Sequence, residues 1–108
     1  MYFIKVFKMA MKNNWLEPPE EIIADGKFHN CRMRGDSENS ENGFYLFAPT
    51  SCPLGVIGLW KEKFALLWTV RPFRFLSNRD KFTCYVWFIV IRDELKRKGK
   101  RIRLPFPK

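Results

Sequence analysis

The residues of this chain whose types and spacing are best suited to catalysis or metal binding are its single histidine, His29, and Cys31, two positions later. Side chains two positions apart on a β-strand point to the same face, so the pair could supply two zinc ligands. His29 could also act as a general base, because Asp25 and Asp36 flank it in the sequence. A lone strand histidine more commonly forms a hydrogen bond to the backbone or to a loop, and that structural role is what we predict.

The rest of the sequence lacks the groups that either chemistry needs. A zinc site would have to recruit Cys52 and Cys84, which have no recognisable ligand spacing. The acidic residues Asp36, Glu38 and Glu41 lack the ligand spacing and the central glycine of a calcium loop. A glycine-rich phosphate loop and a nucleophile elbow are also missing from the sequence. We therefore predict no catalytic residue, no metal and no cofactor, and a protein that is not an enzyme.

A mixture of cations and aromatic rings is a better indication of function. Single-stranded nucleic acid is bound by such mixtures, because cations contact the phosphates and flat rings stack on the bases. Two simpler interpretations stay open: the rings could form the core of a small sheet, and the charges could be solvated. The predicted nucleic-acid-binding residues are Arg32, Arg34, Tyr45, Trp60, Lys61, Lys63, Arg97, Lys98, Lys100 and Arg101.

The net charge of +9 is unevenly distributed along the chain. Residues 1–70 contain eight Lys and Arg against eight Asp and Glu, whereas residues 71–108 contain twelve against three. We therefore predict a small module over 1–70 and a basic, aromatic extension over 71–108. Such an extension is suited to phosphate groups, to an anionic membrane surface or to an acidic protein.

The elements that must position these residues are predicted from hydrophobic periodicity. Apolar residues at helical spacing predict a helix over 2–13, which Pro18-Pro19 cannot continue. Pro19-Glu20-Glu21 could open a further short helical turn. Alternation from Phe28, turn signals at Asn42-Gly43 and in 50–55, and a polar turn at 61–63 predict a four-stranded antiparallel meander over 28–70. The predicted fold class is α+β, with the N-terminal helix packed on one face of the sheet.

The C-terminal third does not resolve into one element from sequence. Residues 82–91 are β-branched and aromatic, which favours a strand, while residues 92–98 favour a helix that Gly99 would end. Helix and strand therefore stay open across 82–98, followed by a proline-punctuated tail. The apolar run 82–91 is too short to be a transmembrane segment. Three sparse cysteines and the lack of a signal-peptide pattern predict a cytoplasmic protein.

The stretch from Asn13 to Phe47 resembles the small N-terminal module of phage, plasmid and island-borne primase/helicase replication proteins that carry a Toprim or related domain. In that family a helix leads into Gly-Leu-x-Pro-Pro, Ile-x-x-Asp-Gly-Lys-x-His-Arg, a Gly-Asp loop and Asn-Gly-Trp-Tyr, followed by a Pro-x-Gly-x-x-Gly-x-Trp-Lys segment and a closing Trp. The resemblance covers about residues 3–69. The matching positions here are Leu16, Pro18, Pro19, Ile22, Asp25, Gly26, Lys27, His29, Gly35, Asp36, Asn42, Gly43, Tyr45, Gly55, Gly58, Trp60, Lys61 and Trp68.

The chain also departs from the family pattern. Asn30 stands where the family has Arg, bulky Val56 and Ile57 interrupt the glycine segment, and the turn at 61–63 lacks the family's glycine. Residues beyond Val70 do not follow the family. The resemblance implies a non-catalytic, DNA-binding accessory module of a mobile-element DNA replication system, with single-stranded nucleic acid and a replication protein as partners. A small protein-interaction module of phage or mobile-element origin is the alternative, and a membrane-surface protein based on Phe82–Ile91 is a third.

Overall fold

The computed structural model describes residues 2–37, 39–50 and 52–99 as a sheet with a helix on each face. The elements in chain order are helix α1 (Tyr2–Asn13), strands β1 (Leu16–Glu17), β2 (His29–Met33), β3 (Gly43–Ala48), β4 (Leu54–Leu59) and β5 (Phe64–Thr69), a 3-10 turn (Phe73–Phe75) and helix α2 (Asn78–Arg97). The strands pair antiparallel in the order β1-β2-β3-β4-β5. The predicted α+β class and the meander are confirmed, with one strand more than predicted.

Helix α1 covers one face of the sheet. Its residues Phe7 and Met11 are fully buried, and Phe7 lies with its ring centroid 5.1 Å from that of Phe47 and 5.1 Å from that of Trp68. Tyr45, beside Phe47 on the same face of β3, is also buried. Strand alternation explains this face, since odd-numbered residues of β3 point toward α1.

Helix α2 covers the opposite face. Cys84, Phe88, Ile91 and Leu95 recur at three- and four-residue spacing and are all buried against the even-numbered residues of β3 and β4. Strands β3 and β4 are therefore buried along their whole length, as the middle layer of three. Residues 71–99 pack onto the 1–70 module and share its core.

The competition between helix and strand over 82–98 is resolved in favour of a helix. Ser77 is the N-cap, and its Oγ accepts a hydrogen bond from the Asp80 N–H at 3.1 Å. Asp80 in the first turn and Lys96 and Arg97 in the last turn complement the helix dipole. Gly99 follows with a φ of +69°, a conformation typical of a residue just beyond a helix end. These end signals and the burial of one helical face outweigh the β preference of the apolar run.

Two local predictions were wrong, and one strand was not predicted. No helical turn forms at Pro19-Glu20-Glu21; the chain there is extended and bent. Asn42-Gly43 is not the hairpin turn, because Gly43 already pairs with Cys31 and residues 34–42 form the β2–β3 connection. The strand β1 was missed, since two residues carry no periodic signal and its pairing partner in β2 is distant in sequence. The predicted tail, from residue 100 onward, lies outside the described residues.

Candidate functional site

His29 forms a hydrogen-bonded pair with Asp25. Its Nε2 lies 2.9 Å from Oδ1 of Asp25, and its ring centroid lies 5.5 Å from that of Tyr45. The hydrogen bond from His29 holds the pKa of the Asp25 carboxyl below its ordinary value. Asp25 also accepts a hydrogen bond from the Lys27 N–H at 3.0 Å, so it closes the turn that leads into β2. The contact fits the structural role predicted for this histidine.

Cys31 does not join His29 in a reactive group. Its side chain is 8% exposed, and burial raises the pKa of its thiol to about 12. The nucleophilic and metal-binding form of cysteine is the thiolate, which this environment disfavours. Among residues 2–37, 39–50 and 52–99, no three His, Cys, Asp or Glu side chains are grouped so that they could hold a metal ion.

The two rings predicted to stack on bases, Tyr45 and Trp60, make hydrogen bonds and ring contacts within the protein. Tyr45 is 1% exposed, its hydroxyl oxygen accepts a hydrogen bond from the Ile23 N–H at 3.1 Å, and burial raises its pKa. A ring with no exposed face cannot stack on a base, which corrects the assignment of Tyr45. Trp60 is half-buried with one face stacked on Phe44 at 3.8 Å, and its Nε1–H donates to Oδ1 of Asn30 at 2.9 Å.

The sheet cations lie along one end of the sheet. Lys61 and Lys63 occupy the β4–β5 turn, and Arg34 follows β2 with its guanidinium 5.3 Å from the ring centroid of Trp15. Asn42 joins the two connections: its Oδ1 accepts from the Lys61 N–H at 2.8 Å. Arg32 lies nearby on β2, where its Nη1 donates to the Asp36 carbonyl at 3.3 Å.

At this end of the sheet the described side chains carry only a small excess of positive charge. Three carboxylates in the same connections offset three of the four cations, and the acidic residues are Asp36, Glu41 and Glu62. Two of them form hydrogen bonds to amide groups there: Glu62 with Asn42 at 3.1 Å and Glu41 with Asn30 at 3.4 Å. Because the attraction of phosphate depends on the local sum of charges, these carboxylates weaken the attraction that the four cations would otherwise exert on phosphate.

The remaining predicted cations belong to α2 and to the segment that follows it. Arg97 is exposed, with its Nη1 3.6 Å from a carboxylate oxygen of Glu94. Lys98 is exposed and its backbone N–H donates to the Glu94 carbonyl at 3.2 Å. Lys100 and Arg101 lie outside the described residues. In the sequence, the net positive charge of the chain lies within residues 71–108.

The most unusual surface of the described chain is the side of α2 that faces away from the sheet. Five large apolar side chains are exposed there between the second and fourth turns, and we call them the outer stripe. Its members are Phe82 (70% exposed), Tyr85 (41%), Val86 (44%), Ile89 (49%) and Val90 (51%). Arg79 precedes the stripe by one turn, and Asp93 follows it. Val90 also borders a cleft of about 400 Å³ between α2 and the loop containing Lys27 and Phe28.

Sequence reasoning placed the candidate site on the sheet and among the cations at 97–101, and it considered Phe82–Ile91 only as the basis of a membrane-surface protein. The signal was the uninterrupted apolar run 82–91, whose meaning depends on the element. On a strand buried on both faces such a run is ordinary, whereas on a helix it puts apolar side chains on every side. One side of α2 packs on the sheet, and the apolar side chains on the opposite side form the exposed outer stripe.

Comparison of the chain with family models, with curated protein sequences and with solved structures found no match. None of the helices in the described part of the chain is long and apolar enough to cross a lipid bilayer.

Proposed function

We propose that this chain is a non-catalytic binding module that docks on a protein through the outer stripe of α2. The observation that carries the proposal is the exposure of five large apolar side chains on consecutive turns of one helix. Contiguous apolar patches of this kind, edged by charged residues, are typical of protein interaction sites. Scattered apolar residues on a surface need no such explanation, but these five are neighbours on one helical face.

The composition of the outer stripe fits a protein partner. The centre is aliphatic and aromatic, and charged residues stand at its two ends, as in the apolar core and polar rim of a protein interface. Burial of an exposed Val, Ile or Phe side chain contributes roughly 1.5–3 kcal/mol when complete. Several such side chains on a rigid helix can therefore supply useful affinity without a conformational change in the sheet.

In-cell photo-crosslinking tests this proposal. A photoreactive phenylalanine analogue replaces Val86 in the outer stripe, and the matched control carries it at Met9, which is 62% exposed on α1. We expect a covalent adduct to a polypeptide from position 86 and none from position 9. An adduct to lipid or nucleic acid at position 86, or equal protein adducts at both positions, would refute a protein-docking function.

Nucleic-acid binding is the second candidate function, and it would place the chain in a mobile-element replication system as the resemblance implies. The supporting observation is that the charge excess is confined to residues 71–108. The three free thiols, at Cys31, Cys52 and Cys84, support the further proposal of a reducing, cytoplasmic setting.

Titration of a labelled single-stranded oligonucleotide at two salt concentrations tests the second candidate. If phosphates are bound, the log of the affinity should fall with the log of the salt concentration by about 0.7 for each phosphate neutralised. Charge reversal at Arg97 and Lys98 should then weaken binding more than the same change at Lys61 and Lys63, where carboxylates already offset most of the positive charge. No binding at low salt, or an equal effect of both pairs, would remove this candidate.

A further inference from the structure

We infer that the partner of the outer stripe is a second copy of this chain, and that two α2 helices pack antiparallel about a twofold axis at Val86. The inference rests on the proposed docking function and names the occupant of that surface. Twofold interfaces place the same patch of both copies in contact, so the patch must be complementary to itself. The outer stripe satisfies that condition in both charge and shape.

The charge pattern is the strongest argument. Arg79 and Asp93 lie seven residues before and seven residues after Val86. Seven residues are close to two helical turns, so both side chains lie on the same helical face as Val86, about 10 Å from it in opposite directions. An antiparallel partner centred on Val86 therefore brings each Arg79 to the other copy's Asp93, which makes two equivalent ion pairs.

Neither side chain forms an ion pair with another of the described residues. Among the described residues, the ion pairs are His29 with Asp25 and Arg97 with Glu94. Arg79 and Asp93 are both exposed, at opposite ends of an apolar surface. Opposite charges left unpaired at equal distances from the centre of an apolar patch are what a twofold interface requires.

The apolar side chains are also complementary under the same axis. Phe82 faces Val90 of the second copy, because the two lie four residues on either side of Val86. Phe82 is the most exposed member of the stripe at 70%, and Val90 borders the cleft of about 400 Å³ beside Lys27 and Phe28. The most exposed ring is therefore placed opposite a residue that borders a cleft, twice in each dimer.

An anionic membrane fits the stripe less well than a second copy does. A helix that lies on a membrane carries cations on its polar edge, which contact lipid phosphates. Asp93 continues the line of the outer stripe one turn beyond Ile89, where it would meet those phosphates with a negative charge. The same carboxylate is useful in the antiparallel pair, because it faces Arg79.

Salt dependence separates a dimer from binding to anionic ligands. Each copy carries a net charge of +9, so two copies repel each other over the whole surface. Moderate salt screens this repulsion more than it weakens two short-range ion pairs and the apolar contact. We expect the dimer to strengthen as salt rises from a low concentration, whereas binding to lipid or nucleic acid weakens.

Sedimentation velocity of the full-length protein over a range of concentrations and two salt levels is the decisive experiment. Wild type should form a concentration-dependent dimer, and Val86→Asp should weaken it by at least about tenfold, since two carboxylates would meet at the axis. Arg79→Asp alone and Asp93→Arg alone should each weaken it by a similar factor. The double variant should restore dimerisation, because the exchanged charges again face each other.

The charge-exchange variants are suited to this test because they should not harm the fold. Arg79→Asp puts a negative charge near the N-terminus of α2 and Asp93→Arg puts a positive charge nearer its C-terminus, both favoured by the helix dipole. Circular dichroism of each variant checks that the helix is intact.

Three outcomes would overturn the inference, and they differ in what they say about docking. Wild-type protein that stays monomeric at both salt levels, while position 86 crosslinks to a different protein in cells, rejects the second copy and keeps protein docking. Monomeric protein that cosediments with phosphatidylserine vesicles through the stripe rejects both. A dimer that the double variant fails to restore rejects the Arg79–Asp93 arrangement.

Discussion

The two helices of this protein cover the two faces of one sheet, but they are built differently. Helix α1 buries Phe7 and Met11 and carries Lys5 and Lys12 on exposed positions, so its apolar side is fully used by the sheet. Helix α2 buries one apolar side equally well and exposes a second, centred on Val86.

This difference indicates which surface has a further role. A helix that serves a monomer needs one apolar face, and polar residues elsewhere keep it in water. α1 follows that rule apart from a few scattered side chains, such as Tyr2 and Met9. The second apolar face of α2 is largely exposed in the described chain, although Tyr85 contacts Phe73 with ring centroids 5.6 Å apart, so we interpret it as an intermolecular surface.

The largest expected effect is a difference in stability between two matched substitutions, one on each face of α2. Phe88→Ala removes a ring that is 3% exposed in the core, and we expect it to lower the free energy of unfolding by about 3–5 kcal/mol. Phe82→Ala removes the same ring from the outer stripe, where it is 70% exposed, and should cost well under about 1 kcal/mol in the monomer. Urea unfolding at a concentration below dimerisation measures both. Equal losses would mean that the outer face is part of the monomer core.

Next in size is the contact between α2 and the turn before β2. Gly26 has a φ of +72°, and a Cβ there would lie 2.6 Å from Cη2 of Trp87 on α2. Gly26→Ala should therefore cost about 2–4 kcal/mol, from backbone strain together with overpacking. Gly35, with a φ of +89° and open space around it, is the control for strain alone, at about 1 kcal/mol. If thermal or urea unfolding gives the two variants the same loss, Trp87 does not pack where the structure has it.

A smaller effect is the pH dependence of stability, which compares how strongly the two faces of the sheet exclude water from a buried thiol. Burial raises the pKa of Cys31, on the α1 side, from 9.0 to about 12 and that of Cys84, on the α2 side, to about 11. As pH rises above 9.0, the unfolded chain releases these protons and the folded chain keeps them. Stability should therefore fall with rising pH, by about 1.4 kcal/mol per pH unit for each thiol.

Urea unfolding on either side of pH 9.0 measures this slope. Cys31→Ala and Cys84→Ala should each remove the share that comes from one face. A slope that neither substitution changes would mean that both thiols are accessible to water in the folded protein.

The smallest expected effect is at the end of the sheet, in the β4–β5 turn. Lys63 has a φ of +51° in the β4–β5 turn, at the place where the resembling family has a glycine. Lys63→Gly removes the left-handed strain but adds freedom to the unfolded chain, so we expect a gain of between 0 and about 1 kcal/mol. Lys61→Gly, in the same turn, relieves no such strain and should be neutral or destabilising. A loss at Lys63 larger than at Lys61 would contradict the turn geometry.

Most of the sheet could be predicted from the sequence, because its signals are local. Strand β2 at His29–Met33 follows from alternation, and the Lys61-Glu62-Lys63 turn separates two apolar runs that become β4 and β5. α1 follows from its single apolar face and the prolines after it. Each of these depends on neighbours within a few residues, which a sequence displays directly.

The tertiary structure decided the helix over 82–98 and the location of the candidate site. The β-branched run became a helix because Phe88, Ile91 and Leu95 reach one sheet face only at helical spacing, a benefit that appears when the sheet is present. The packing of α1 on the opposite face buried Tyr45, and strand pairing placed carboxylates among the cations of the sheet end. Burial and the local sum of charges depend on residues far apart in sequence, so no periodicity could have shown that the exposed surface lies on the far side of α2.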